Sequence, residues 1–195
     1  MRTIKTLQTV ALAALCAFSA LSAEATVSTY SDKAQFLADT GASQATAAYP
    51  TGGQGPYTAY LSGAATLSSS NPFYFGAYTS RLAGGVISID GLEHLSVQWV
   101  LAMHSFGFDF VEPEFDPLVN APFVDSTFSV TLRNAGVSVG TFQFNTPNDT
   151  AAFVGAWSTV AFDRVDILET TGNIENEFYG QFYAGNAMPV PEPSS

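Results

Sequence analysis

Cysteine is almost missing from this chain. The single one, Cys16, sits near the N-terminus, so the rest of the protein forms no internal disulfide. Its stability has to come from a packed core, with or without a bound ion. Leu15 before Cys16 puts a bulky residue where lipid attachment needs a small one, which argues against a lipoprotein anchor. Charge is scarce too: Asp, Glu, Lys and Arg make up 12% of the residues, about half of the usual ~25%. Basic residues are the rarest part of it, with 6 Lys and Arg against 17 Asp and Glu and a net charge of −11. Nucleic acid and anionic lipid surfaces, which both need a basic footprint, are poor partners. The two histidines, His94 and His104, have no Cys/His spacing for zinc, and no G-x-S-x-G nucleophile turn occurs.

Aromatic and apolar residues are plentiful. Hydrophobic residues reach 47%, and phenylalanine alone occurs 16 times. Phe106, Phe108 and Phe110 alternate with Gly107 and Asp109, so three rings leave one face of a strand. Rings of ~150–250 Å² each need a second layer to cover them. Alternation repeats at Leu95, Val97 and Trp99, and at Phe128, Val130 and Leu132. Strands are also expected over 57–67, 73–78, 86–89, 137–144, 153–157, 160–168 and 177–183. The parity of 137–144 shifts, since Val137 and Val139 are odd but Phe142 and Phe144 even; a bulge at Gly140 reconciles them. Short strands at this spacing, separated by Asn71-Pro72, Asp90-Gly91 and Asn134-Ala135-Gly136, predict an all-β antiparallel sandwich or jelly roll. One helix is expected within 28–41, capped by Ser31, with Asp32 in its first turn and Gly41 ending it. Phe36 and Leu37 should pack it on the sheet.

The two ends read as addresses. Residues 1–25 have the form of a secretory signal peptide: Arg2 and Lys5, an apolar run from Val10 to Leu21, and Ala23-Glu24-Ala25 as the cleavage site, with Leu21-Ser22-Ala23 as a near alternative. Without that leader the chain carries 4 basic and 16 acidic residues, a net −12. Residues 26–185 then form one ectodomain, and 186–195 a proline-rich linker, Met188-Pro189-Val190-Pro191-Glu192-Pro193-Ser194-Ser195.

That linker resembles the opening of the sorting signal of PEP-CTERM proteins of Gram-negative bacteria. The helix region Tyr30 to Leu37, the Phe106–Phe110 strand and Asn176-Glu177-Phe178-Tyr179-Gly180 are similar to the family's ectodomains. The family's signal continues into an apolar helix and a basic cluster, whereas this chain stops at Ser195, so the expectation is of a form truncated just after the motif. The resemblance implies export by the general secretory route, processing by an exosortase, and a place at the cell surface or in the exopolysaccharide matrix of a biofilm. Pro191, Glu192 and Pro193 are then recognition residues for the sorting enzyme. A membrane contact would come only through a C-terminal helix absent from this chain.

The residues themselves offer carboxylates as the main reactive groups. Glu112, Glu114 and Asp116 alternate on one loop, with Asp125 beyond it. Calcium, which takes six to eight oxygens, is the cofactor such a loop suits; Asp90 with Glu175, Asn176 and Glu177 is a second set. Carbohydrate binding is the other use of such a sandwich, with Tyr57, Tyr60, Tyr74, Tyr78, Trp157, Tyr179 and Tyr183 as stacking candidates. A non-enzymatic surface protein is the leading reading. A calcium-assisted carbohydrate-binding module and a glycosidase using Glu112 and Glu114 are the alternatives.

Overall fold

A computed structural model of the 195-residue chain describes residues 25–45, 58–61, 65–75, 82, 86–89, 92–116, 121–122, 125–171 and 177–188, with main chain alone at 58–61, 116 and 121. The leader through Glu24, including Ala23, lies outside these residues, as do Pro191, Glu192 and Pro193. So do Tyr57, Tyr78, Asp90, Glu175 and Asn176.

The chain opens with β1 (Val27–Tyr30), α1 (Lys33–Thr40) and β2 (Ser43–Gln44). It continues through β3 (Thr58–Leu61), β4 (Ala65–Ser68), β5 (Phe73–Phe75) and β6 (Ile87–Ile89) to the long strand β7 (Leu95–Val111). After the short pair β8 (Phe115–Asp116) and β9 (Ala121–Pro122) come β10 (Thr127–Asn134) and β11 (Val137–Phe144). The last two are the long β12 (Ala152–Thr171) and β13 (Phe178–Gly185). Every ladder is antiparallel. The fold is the antiparallel β-sandwich that the alternation predicts, with a single short helix among the described residues.

Its two layers are one sheet bent over. β7 and β12, of 17 and 20 residues, pair along most of their length, but the register breaks between Trp157 and Phe162 and again before Arg164. Extra residues on first one strand and then the other turn both through a corner. Each strand changes its second partner there. β12 pairs with β1 before the corner and β10 after it; β7 pairs with β4 before it and β13 after it. The first layer therefore runs β3-β4-β7-β12-β10-β11. The second, built from the other halves of β7 and β12, runs β1-β12-β7-β13 and adds β2, β6 and β5 along β13. The alternation around 95–99 and 106–111 predicts two separate strands, because Val100, Leu101 and Ala102 break it; they are exposed residues of the corner itself.

Phe106, Phe108 and Phe110 point inward, as their spacing requires, and are fully buried. Phe108 and Phe110 reach across to Phe144, with ring centroids 5.7 and 5.3 Å apart, and Phe110 reaches Phe128 at 5.3 Å. The β11 bulge is present too: Leu132 faces Gly140 but Arg133 faces Ser138, which leaves Val139 as the extra residue beside Gly140.

On the outer side of the second layer Gly107 and Gly155 face each other in register. A Cβ on Gly107 would come 2.5 Å from the Phe153 ring, so the pair of glycines makes the bed in which Phe153 lies. Phe36 packs on Phe153 at 5.1 Å and carries the helix onto that bed. The helix is shorter than the sequence reading of 28–41. Val27–Tyr30 pairs with β12 instead, and Asp32, not Ser31, is the N-cap, accepting from the Gln35 amide at 2.9 Å. Polar spacing favours a helix there, but the free edge of β12 claims the residues first. Gly41 ends the helix in the left-handed region, at φ 63°.

Candidate functional site

Two arrangements stand out from ordinary packing, one inside the sandwich and one on its surface. The inner one is at the end opposite the corner. Glu93, Glu112 and Glu177 are almost wholly buried and Glu169 nearly so. Each continues the inward row of its strand: Glu93 lies two residues before Leu95, Glu112 two after Phe110, Glu169 two after Ile167 and Glu177 two before Tyr179. Period two is thus the signal that points to this cluster. The apolar alternation ends one step short of each glutamate, so hydropathy alone does not reach them.

The cluster is laced to the main chain. The Glu93 amide donates to Glu169 Oε2 at 2.9 Å, the Ser126 amide to Glu112 Oε1, and the Tyr179 hydroxyl to the Glu93 carbonyl at 3.1 Å. Ser126 Oγ donates to Glu169 Oε1 at 3.4 Å, and the Glu169 amide to Nδ1 of His94 at 3.3 Å. Burial, reinforced by the charges of Glu177 and Glu169, pushes the Glu93 carboxyl well above the usual carboxylate range. Burial and the same carboxylates push the Tyr179 phenol up.

The acidic residues singled out in the sequence are dispersed here. Glu112 has turned into the interior. Glu114 is exposed, with its amide on Asp149 Oδ1, and Asp125 is exposed and accepts from Asn145 at 3.1 Å. Asp116 lies in the small β8–β9 ladder. Among the described residues no three His, Cys, Asp or Glu side chains converge as metal ligands. The stacking candidates change as well. Tyr179 and Tyr183 are buried, and Tyr74 and Trp157 half-buried, because strands at the centre of a sandwich turn alternate aromatics into one core or the other. Of Tyr60 only the main chain is described. His104 is tied down, its Nδ1 lying 2.8 Å from the Ser158 carbonyl.

Tyr183, Asp109 and Lys33 form a small polar knot beside the helix. Lys33 Nζ donates to Asp109 Oδ1 at 2.8 Å and to Tyr183 Oη at 3.3 Å, and Tyr183 donates to Asp109 Oδ2 at 3.1 Å. Lys33 and Asp109 border an open cleft of about 470 Å³ that also takes in Ser31, Leu82 and Phe153. Burial lowers the Lys33 ammonium, but its bonds to Asp109 and Tyr183 outweigh that and raise it overall. The knot pins the first turn of α1 to the sheet.

The outer arrangement is the solvent face of the first layer. Register places Thr66, Gln98, Arg164, Arg133 and Ser138 side by side in one row across five strands. The next row is Ser68, Ser96, Asp166, Thr131 and Thr141. Asp166 sits at the middle and accepts from Ser96 at 2.7 Å, Arg133 Nε at 2.7 Å and Arg164 Nε at 2.6 Å. Burial opposes its charge, but these three donors outweigh burial and hold the carboxyl below the usual range. Gln98 donates to the Asp163 carbonyl at 2.8 Å. The side chains of this face are therefore fixed in place while their outer atoms meet solvent.

The fold and these features define an antiparallel β-sandwich with an acidic inner end and a polar outer face. No protein-family model matches the sequence, and no curated protein matches it. Among solved structures it is similar to a mutant of CBM29-2, a family 29 carbohydrate binding module, at 11% identity and a TM-score of 0.36, over 87% of this chain and 99% of that one.

Proposed function

We propose that this is an exported, non-catalytic protein of the cell surface or extracellular matrix, sorted through its Pro191-Glu192-Pro193 tail and held among extracellular polysaccharide. The observation that carries the reading is the position of the fold's own edges. Thr26, the residue after the expected cleavage at Ala25, already bonds into the sheet: its amide donates to Thr159 Oγ1 and its carbonyl accepts from the Thr159 amide. At the other side β13 finishes at Gly185, and Asn186 to Met188 are exposed. Removing a leader through Ala25 leaves β1 whole, and processing beyond Met188 would cut no described strand. Exosortase is the partner this reading requires, and its setting is a Gram-negative bacterium.

N-terminal sequencing of the secreted protein is expected to begin at Thr26. A mature chain starting inside or beyond Val27–Tyr30, or recovery of the intact leader in the cytoplasm, overturns the reading.

A calcium-assisted form of this reading would draw the ion's shell largely from main-chain oxygens and water, since no three carboxylates converge among the described residues. It requires the melting temperature to rise with added calcium and fall with EDTA, since a ligand that binds only the folded state stabilises it. A temperature unmoved by either rejects it.

A further inference from the structure

The solvent face of the first layer has no part in holding the protein together beyond its own cross-links. Three properties narrow what it suits. First, it is close to neutral. The two guanidiniums are offset by Asp166 between them and by Asp163 beside them, whose Oδ2 accepts from the Ala135 amide, in a chain whose net charge is −11, so a strongly charged polymer of either sign finds no match here. Second, among its described side chains there is no aromatic centre of the kind on which protein interfaces depend. Val100 and Leu168 are the exposed apolar residues among them, and they lie at opposite ends. Third, it repeats. Donors and acceptors recur at every strand, ~4.8 Å apart, close to the advance of one sugar unit in an extended chain.

Each guanidinium has five N–H groups. The bonds to Asp166, Gly136 and Ser96 occupy two on Arg133 and two on Arg164. The remainder belong to side chains that are 35% and 44% exposed. Gln98 keeps its amide oxygen, since its bond to Asp163 uses the nitrogen. Sugar hydroxyls, which both donate and accept, complement this mixture. The hydrogen bonds that fix the row also reduce the ordering cost of binding.

We infer that this face binds a neutral polysaccharide lying across the strands, one sugar unit per strand from β4 to β11, with Gln98, Arg164 and Arg133 as its central contacts. The inference rests on the matrix reading above and adds the site, the polymer class and the direction of the chain.

The test is affinity electrophoresis in gels holding neutral polymers (hydroxyethylcellulose, xylan, galactomannan, dextran, curdlan) or acidic ones (alginate, polygalacturonate), followed by calorimetry with oligomers of the best neutral polymer. At least one neutral polymer is expected to retard the wild type. Affinity should climb with oligomer length and level off near five units, about the number of strands crossed. Gln98→Ala and Arg164→Ala are each expected to weaken binding about tenfold, and Gln35→Ala, on the helix, to leave it unchanged. Thr141→Ala, which removes an exposed hydroxyl and methyl and one 3.4 Å bond to Thr131, guards against misfolding in the arginine variant and should shorten the length plateau by one unit. If the wild type is retarded but Gln98→Ala and Thr141→Ala bind as well as it does, the site is wrong and the matrix reading survives. Retardation by acidic polymers alone overturns the neutral-polymer inference. No retardation by any polymer overturns the matrix reading as well.

Discussion

Replacing Phe108 with alanine is expected to destabilise the protein by about 3–5 kcal/mol and to lower the melting temperature by roughly 10 °C. No other substitution on the core should cost more. Phe108 is fully buried and its ring meets those of Phe106, Phe110, Phe144, Tyr179 and Phe182 at 5.6–6.0 Å. Those rings come from both layers, so truncation opens a cavity at the junction of the sandwich, where neither sheet can close it alone. Val137→Ala, at a site 69% exposed, should by contrast stay within about 0.5 kcal/mol. Denaturant midpoints of the two variants decide the matter. A Phe108→Ala protein with near wild-type stability would mean that the layers do not pack as described.

Glu93→Gln is expected to make the protein more stable at neutral and alkaline pH and to flatten its pH dependence. In the unfolded chain Glu93 ionises near the ordinary value of 4.5; in the folded protein, burial and the neighbouring Glu177 and Glu169 charges push it well above. Between those two points the folded state holds a proton that the unfolded state has released. Stability from this group is therefore complete below the unfolded value and is lost as pH rises through the folded one. The slope is about 1.4 kcal/mol per pH unit while it lasts. Tyr179, Glu169 and Glu177 act on the site and remain in the variant, so a residual slope is expected. Asp166 works in the opposite sense: its lowered value adds stability above the ordinary carboxylate range that disappears on acidification. Chemical denaturation from pH 2 to 9 reads both. Parallel curves for wild type and Glu93→Gln would show that Glu93 stays charged in the folded protein.

Much of the fold was legible because period two is a local property. Leu95, Val97 and Trp99, the three phenylalanines and the parity slip at Gly140 all told their orientation without help from partners. What could not be read is who pairs with whom. Nothing near Val100 or Thr159 says that two strands continue through a bend, because the bend is set by the residues each strand meets on its neighbour. The early residues show the same limit: Ser28 to Tyr30 have helical company, yet β12 draws them into the sheet. At the acidic end the spacing was available, since Glu93, Glu112, Glu169 and Glu177 stand in register with core residues. The habit of placing glutamate in solvent hid it. The polar face was not legible at all, because its rows join residues from 66 to 141 and beyond, and a row exists only once register is fixed.

The bend in β7 and β12 has a mechanical side. A sandwich of two separate sheets resists shear only through packed side chains and can slide or part under load. Here two covalent strands run through both layers, and each layer is anchored in the other by peptide bonds. A pull on Gln98 or Arg164 travels along the backbone to the bed of Gly107 and Gly155 beneath the helix, with no ladder of hydrogen bonds to unzip on the way. Neither half can be excised as a free-standing unit. A polymer held on the outer face would be tethered, through main chain, to the whole body of the protein.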